Sequence, residues 1–330
     1  METVKNLYKL LLLITVFSIL GASAAIALEI LYPGEGTYIN RSEALVIKAG
    51  AGVDGLVIEL AGDASDLIDI SGEQYRATFK DMLILRPEFE AGKNQVKVRG
   101  YRQGEKVAED EVNFFLRSDQ LAPPPEGFSR FLMHVPEKEA VCAECHDMNP
   151  SEAAISQPSP RQNPCVTCHR GMLRPEWSHG PAGAYECGSC HELQNEKGKF
   201  REREIHADLC TECHLDIVNA YMREEYVHGP VEAGLCNTCH DSHATQYRGQ
   251  LVAEANELCL GCHELIDDSV HVGRGVSGRP HPLSGPKDPS RIGRRFDCTG
   301  CHNPHGAKSK NYYQFGVTGR MQLCQGCHRK

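Results

Sequence analysis

The sequence predicts two parts of different architecture: an all-β sandwich over residues 28–118 and, over residues 134–330, a module of short helices with little regular secondary structure. Three observations lead to this prediction. Short runs of alternating apolar and polar residues fill the first part, as in half-buried strands. All 16 cysteines of the 330-residue chain lie in the second part, and they recur there at a regular spacing. We therefore expect an N-terminal module with its own core and a C-terminal module organised by its cysteines.

Residues 1–27 are predicted to be an export signal, in which two lysines precede an apolar run and a small-residue stretch at 21–27 offers a cleavage site. The alternative is an uncleaved anchor, because the stretch without charge between Lys9 and Glu29 just reaches the length that spans a bilayer. Both interpretations predict an exported protein. We expect it in the periplasm, or at the outer membrane or the extracellular surface.

Five runs of the first part alternate in this way and are predicted strands: residues 44–48, 56–60, 74–79, 94–98 and 111–116. Turns that contain glycine or aspartate separate them, and about seven short strands in a module of this length are typical of a sandwich. In length and rhythm the module resembles bacterial immunoglobulin-like or fibronectin-like domains. The resemblance implies a spacer or a partner-binding module, and we favour the spacer. Residues 119–133 are the predicted linker, stiffened by three consecutive prolines.

Every cysteine belongs to a Cys-x-x-Cys-His block. The eight blocks are Cys142, Cys145, His146; Cys165, Cys168, His169; Cys187, Cys190, His191; Cys210, Cys213, His214; Cys236, Cys239, His240; Cys259, Cys262, His263; Cys298, Cys301, His302; and Cys324, Cys327, His328. In an exported protein a disulfide scaffold is the main alternative and a zinc site the next, but neither needs a histidine directly after each pair. Haem c does need it, because two thiols add to its vinyl groups and the adjoining histidine ligates its iron. The blocks therefore predict eight haem c groups per chain.

The C-terminal module has roughly 25 residues for each predicted haem, too few for a conventional hydrophobic core around each. The porphyrins themselves must supply most of the buried apolar surface. We therefore expect short helices that carry the blocks, joined by connections rich in glycine and proline. We also expect the module not to fold without haem, as small metal domains do not fold without their metal.

Eight further histidines, one for each block, are predicted to be the second axial ligands of the irons. Three of them precede the first cysteine of a pair of blocks by eight residues, and one holds the same place with a longer loop. Two follow an attachment histidine by three residues, and two occupy no repeated position. The first three are His134, His179 and His228, and the one with the longer loop is His281. The two that follow an attachment histidine are His243 and His305, and the two without a repeated position are His206 and His271. Ligation by two histidines predicts haems of low potential and low spin.

The blocks are arranged as four tandem two-haem units. First cysteines are 23 residues apart within three units and 26 apart within the fourth, and a fixed internal period indicates a repeat array. On these motifs, residues 134–330 resemble the doubled Cys-x-x-Cys-His family of multihaem cytochromes c, related to the class III cytochromes. The resemblance implies close-packed haems that form an electron path between redox partners.

The fourth unit departs from the repeat, because 17 residues separate His281 from Cys298. This loop carries Arg291, Arg294 and Arg295. Two roles are open for these arginines: they pair with haem propionates, or they dock an acidic partner. We favour the propionates.

An electron conduit in anaerobic or extracellular respiration is the function that these features favour, with redox partner proteins or a quinol-linked membrane complex as partners. One alternative is a multihaem reductase of a small nitrogen or sulfur compound, which needs one iron with an open sixth position. Another is a subunit of an extracellular cytochrome filament, in which the chain self-associates. We predict no enzymatic activity, since every block ends in histidine and the further histidines match the haems in number. The formal net charge of −9 argues against nucleic acid as a partner.

Overall fold

The computed structural model describes residues 27–40, 44–117, 123–203, 207–266, 271–273 and 278–328. The predicted export signal lies outside these residues except for Ala27, and the predicted ligand His206 lies outside them as well. Contacts divide the chain into two compact units, Met1–Ser118 with Pro124–Phe131 and Asp119–Pro123 with Leu132–Lys330. Within the described ranges no helix is both long and apolar enough to cross a bilayer.

The N-terminal unit is rich in β-structure. Its elements are β1 Leu28–Tyr32, β2 Thr37–Ile39, β3 Leu45–Ala49, β4 Gly55–Leu60, β5 Asp63–Ala64, β6 Ile68–Asp69, helix α1 Glu73–Phe79, β7 Met82–Leu85, β8 Gly92–Arg102, β9 Glu105–Leu116 and β10 Ser129–Arg130. One sheet has the order β1-β3-β7 and is antiparallel. The other has the order β10-β2-β9-β8-β4-β5, with β6 paired to β4. Part of the predicted linker thus groups with this unit, because β10 pairs with β2.

One hydrophobic core joins the two sheets. In β3, Leu45, Ile47 and Ala49 are fully buried and alternate with half-buried residues, as the pleat of a strand requires. In β8, Val96 and Val98 are buried in the same way. Burial of each such side chain contributes about 1.5–3 kcal/mol. The alternation that predicted strands at 44–48, 56–60, 94–98 and 111–116 therefore reflects the core, and the prediction of a β-rich N-terminal part is confirmed.

The prediction of a strand over residues 74–79 is wrong, because this segment is helix α1. Its apolar residues Tyr75 and Phe79 are four positions apart, which puts them on one face of a helix as well as on one side of a strand. Their rings lie 5.2 Å apart between centroids. The residues between them, Arg76 to Thr78, include good helix formers. A spacing of four residues fits both a helix and a strand, so the local preference for helix decides the structure of this segment.

The C-terminal unit contains short helices and few other regular elements, as predicted. Its helices are α2 Pro136–Cys142, α3 Glu152–Ile155, α4 Val166–His169, α5 Gly180–Gly183, α6 Ala207–Met222, α7 Gly229–Glu232, α8 Ala255–Leu260 and α9 Arg320–Cys327, and its two-residue strands are β11 Trp177–Ser178, β12 Gln194–Asn195, β13 Gly198–Lys199, β14 Tyr226–Val227, β15 Ala244–Thr245 and β16 Gly306–Ala307. Single 3₁₀ turns complete it at Arg170–Leu173, Cys187–Ser189, Cys236–Thr238, Arg248–Gln250, Glu264–Ile266, Cys298–Gly300 and Gln314–Gly316.

Four of the two-residue strands join one two-block unit to the next. β11 pairs with β15, and β14 pairs with β16, in both cases antiparallel. Each pair links the residues just before the leading histidine of one unit to the residues just after the first block of the next unit. The backbone N–H of His179 accordingly donates to the carbonyl of His243 at 2.7 Å, and that of His228 donates to the carbonyl of His305 at 3.2 Å.

Candidate haem-binding sites

Each attachment block forms one helical turn. In seven of the eight blocks the backbone N–H of the histidine donates to the carbonyl of the first cysteine at 2.8–3.0 Å, and the remaining block lies within α6. Residues three and four positions apart share one face of such a turn. The turn thus presents two thiols and one imidazole on the same side. None of the 16 cysteines, all of which are described, forms a disulfide.

The attachment histidines in the first blocks of the second, third and fourth units are oriented by the same backbone contact. The Nδ1 of His191 lies 3.0 Å from the carbonyl oxygen of Phe200, and His240 and His302 make the corresponding contact with the residue nine positions further on, at 2.7 Å in both cases. Because Nδ1–H donates to this carbonyl, Nε2 is left with the lone pair that a metal takes.

Seven of the attachment histidines face a second imidazole. The pairs, with the distance between ring centroids, are His134 and His169 (6.1 Å), His179 and His214 (6.0 Å), His191 and His243 (6.2 Å), His228 and His263 (6.2 Å), His240 and His305 (6.0 Å), His271 and His302 (5.7 Å), and His281 and His328 (6.1 Å). Two metal–nitrogen bonds of about 2.0–2.1 Å separate two ring centroids by roughly 6 Å. The pairs therefore have the spacing of two axial ligands on one iron.

The pairs follow a rule. Each leading histidine faces the second block of its own unit, as His134 faces His169. The first blocks of the second and third units instead face a histidine of the following unit, as His191 faces His243. The first block of the fourth unit faces His271, which occupies no repeated position in the sequence. The repeat spacing indicated candidate ligands, but it gave no sign that ligands are exchanged between units.

The first block is different from the other seven. Among the described residues, His146 faces no second imidazole at this distance, and its side chain is exposed. By the rule of the second and third units, its partner should lie three residues after His191. Gln194 holds that position. His206 remains the one histidine without an assigned place, and it lies outside the described residues.

Burial keeps several of these imidazoles neutral. It lowers the pKa of His191, His302 and His305, with further lowering by the facing or nearby histidines. The neutral ring is the form that ligates a metal. The chemistry of the donor set thus fits haem iron at these positions.

Thiols of consecutive blocks are close neighbours from the second block to the eighth. First cysteines are hydrogen-bonded between units, in the pairs Cys165 with Cys187, Cys210 with Cys236 and Cys259 with Cys298. Second cysteines interact electrostatically within units, in the pairs Cys190 with Cys213, Cys239 with Cys262 and Cys301 with Cys327. The hydrogen bond between Cys165 and Cys187 raises the pKa of the first thiol and lowers that of the second. The blocks therefore follow one another in space in the order of the chain.

The sequence matches the family model "Doubled CXXCH motif" three times, at residues 179–218, 228–267 and 292–330. The match supports a multihaem c-type cytochrome. Its motifs indicate covalently bound haem c and a role in electron transfer. The matched segments contain the second, third and fourth two-block units, and the first unit carries the same motif twice outside them.

The other comparisons give weaker results. No curated protein matches the chain. Among solved structures, fibronectin(III)-like modules of CbhA from Clostridium thermocellum are 14% identical, over 28% of this chain and 96% of that one, with a TM-score of 0.21. An endo-β-1,4-mannanase from Thermotoga petrophila is 12% identical, over 28% of this chain and 19% of that one, with a TM-score of 0.21.

Glu139 on α2 is a buried carboxylate beside the predicted ligand His134, and the sequence motifs gave no sign of it. Its Oε1 lies 3.0 Å from Nδ1 of His134, and its Oε2 accepts from Nζ of Lys199 at 2.6 Å. Burial would raise the pKa of Glu139, but hydrogen bonds from Lys199 and His134 outweigh it and lower the pKa. The three side chains border a cavity of ≈ 790 Å³, which is within the usual size range of ligand pockets.

Arg291 in the long loop of the fourth unit has partners within the loop. Its Nε donates to Asp288 Oδ2 at 2.6 Å, and its Nη1 donates to Thr299 Oγ1 at 3.0 Å. The side chain of Asp288 is fully buried. Neither a propionate nor an acidic partner is therefore needed to explain Arg291, which ties the loop to the turn of the seventh block.

Proposed function

We propose that this chain is an electron conduit that carries eight haem c groups, seven of them held between the paired histidines described above. The observation that carries the proposal is the set of seven imidazole pairs with centroids 5.7–6.2 Å apart. When bound, haem c supplies one-electron chemistry at an iron with two nitrogen ligands. An iron with both axial positions filled has no position for a substrate, so these sites pass electrons and do not transform a bound molecule.

The electron path follows the order of the blocks. Thiol pairs that are hydrogen-bonded or close enough to interact electrostatically link the second block to the third, the third to the fourth and so on to the eighth. Because each thiol pair is an attachment point, neighbouring attachment points bring neighbouring haems together. These thiol pairs run from the second block to the eighth, and the first block precedes the second in the chain. Redox partners would exchange electrons at the two ends of this series, the first and the eighth block.

A second function has one observation in its favour. Gln194 stands in the position from which a histidine would face His146, so the first block is the place for an open iron. A reductase of a small nitrogen or sulfur compound would use that iron. Coordination of the same iron by His206 would leave the chain a conduit throughout.

We further propose where the conduit acts, which partners it has and what the N-terminal unit does. The chain is exported and acts in the periplasm, at the outer membrane or outside the cell, in anaerobic or extracellular respiration. Its partners are redox proteins or a quinol-linked membrane complex, and a haem-bearing filament is the form that self-association would take. The N-terminal unit, which we propose to be a fibronectin-like or immunoglobulin-like sandwich, serves as a spacer.

Mass spectrometry and electron paramagnetic resonance of the oxidised, purified protein test the proposal together. We expect a mass that corresponds to eight attached haems, at least seven of them low-spin. Carbon monoxide added after reduction should bind at most one haem. Fewer than seven attached haems, or high-spin signals from several of them, would contradict the conduit.

A variant at one pair tests the assignment of ligands. His243→Ala should convert one haem, the one attached through His191, to a high-spin form that binds carbon monoxide after reduction. Ser242→Ala is the matched control, because it changes the neighbouring residue and leaves the backbone carbonyl that accepts from His179 in place. An unchanged spectrum in His243→Ala would remove the support that the imidazole pairs give.

A further inference from the structure

His134 differs in its ring contact from the seven other proposed axial histidines whose polar ring contacts are described below. His134 Nδ1 lies 3.0 Å from a carboxylate oxygen of Glu139, whose side chain is only 11% exposed. A buried, charge-assisted hydrogen bond of this kind is stronger than a neutral one. It is also the contact that orients metal-binding histidines in other proteins and makes them stronger donors.

Six other axial histidines have a ring hydrogen bond to a backbone carbonyl, which carries no net charge. His191, His240 and His302 make the contacts described above, and His179, His228 and His281 donate to the carbonyls of Ser242, Pro304 and Pro282. His243 has a carboxylate nearby, at 3.4 Å from Asp241 Oδ1. That oxygen also accepts the backbone N–H of His243 at 2.8 Å, and its distance from the ring nitrogen is longer than the 3.0 Å between Glu139 and His134.

Lys199 holds the carboxylate of Glu139 in place. Its Nζ lies 2.6 Å from Glu139 Oε2 and 3.0 Å from Asn149 Oδ1, and it also donates to the carbonyl of Met148. The ammonium group therefore fixes one carboxylate oxygen and leaves the other directed at His134. An ionised carboxylate in a buried position needs such a partner.

We propose that Glu139 is a positioning residue that lowers the reduction potential of the haem held between His134 and His169. The inference rests on the proposed function, since it requires a haem at that pair. A proton drawn towards the carboxylate gives the imidazole more negative charge, and a more negative ligand stabilises ferric over ferrous iron. The second haem of the path is then harder to reduce than it would be with a carbonyl in place of Glu139.

Replacement of the carboxylate by an amide of the same shape is the test. Glu139→Gln should move one of the eight redox transitions in a spectroscopic potentiometric titration to higher potential and leave the other seven in place. One low-spin signal in the electron paramagnetic resonance spectrum should shift with it. Glu137→Gln is the matched control, because Glu137 lies exposed on the same helix and undergoes the same chemical change.

A second variant covers the risk that Glu139→Gln fails to fold with Lys199 left unpaired. Glu139→Gln combined with Lys199→Met removes both charges of the pair, and we expect a smaller shift of the same transition in the same direction.

The outcomes separate this inference from the proposed function. Eight attached haems with unaltered potentials in Glu139→Gln would overturn the role of Glu139 and leave the conduit standing. Equal shifts in Glu139→Gln and Glu137→Gln would also overturn it, because a general loss of charge would explain them. A wild-type protein without a low-spin haem at the second block would overturn the proposed function itself.

Discussion

In the N-terminal unit fifteen apolar residues form one core between two sheets, whereas in the longer C-terminal unit only five apolar residues are buried among the described positions: Ile155, Val166, Ala244, Ala307 and Tyr313. The first unit follows the usual logic of a small domain, in which side chains bury one another. The second has too little buried surface of its own for its length. The two units of one chain thus differ in how much of a core the polypeptide itself provides.

Removal of haem should have the largest effect, and it should affect the two units differently. When the full chain is produced without haem attachment, we expect the C-terminal unit to lose its fold completely and the N-terminal unit to keep it. Limited proteolysis followed by mass spectrometry should digest residues 134–330 and spare a fragment close to 28–118, with the haem-loaded protein as control. A C-terminal unit that resists digestion without haem would show that its own contacts suffice.

Truncation of the N-terminal core should have the converse effect. Phe114→Ala removes a fully buried ring from β9, and large-to-small changes of this kind destabilise by about 3–5 kcal/mol. Circular dichroism of the strands should show a lower unfolding temperature, while the haem absorbance of the C-terminal unit is unchanged. Ile84→Ala on β7 is the control, because that side chain is 52% exposed and its removal should change the stability much less. Equal losses in both variants would contradict a core centred on Phe114.

The sequence predicts the two units to different extents. In the N-terminal unit the alternation along β3, β4, β8 and β9 revealed the buried faces, since a strand has one period and one core to meet. It failed at α1, where the apolar residues fit both a strand and a helix. None of the predicted runs covers β1, β2, β7 or the two-residue strands β5, β6 and β10, and two residues are too few for any period to show.

In the C-terminal unit the covalent motif specified the attachment positions, but the partners of those positions depend on tertiary structure. The eight-residue spacing before a block marked His134 as a candidate ligand, yet nothing in it indicates that His134 faces His169 and not His146. The pairing of His191 with His243 of the following unit depends in the same way on tertiary structure, because strand pair β11 with β15 brings these two units together. Glu139 escaped notice for the same reason, because its neighbour Lys199 is 60 residues away in the sequence.

Two glycines, Gly104 and Gly180, allow the smallest and most specific test of the difference between the two units. Gly104 lies in the turn between β8 and β9, with a φ of 86°, beside Gln103 with a φ of 52°. Two turn residues with positive φ match the twist of the strands in a two-residue hairpin. This turn connects β8 and β9, which form the longest strand pair among the described residues. A Cβ at Gly104 would meet no atom within 4 Å, so any penalty comes from the backbone alone. Gly104→Ala should therefore destabilise the N-terminal unit by about 1 kcal/mol.

Gly180 in the C-terminal unit is the matched position, because a Cβ there also meets no atom within 4 Å but its φ lies outside the left-handed region. Gly180 is the first residue of α5 and directly follows His179, and alanine is a better helix former than glycine. For Gly180→Ala we expect no loss of stability and an unchanged spectrum for the haem attached through His214. Thermal unfolding of both variants, followed by circular dichroism and by haem absorbance, measures the two units separately. A loss confined to Gly104→Ala and to the strand signal means that the hairpin closes a core made by the polypeptide. Equal losses would mean that the two units do not unfold independently, and the contrast between them would fail.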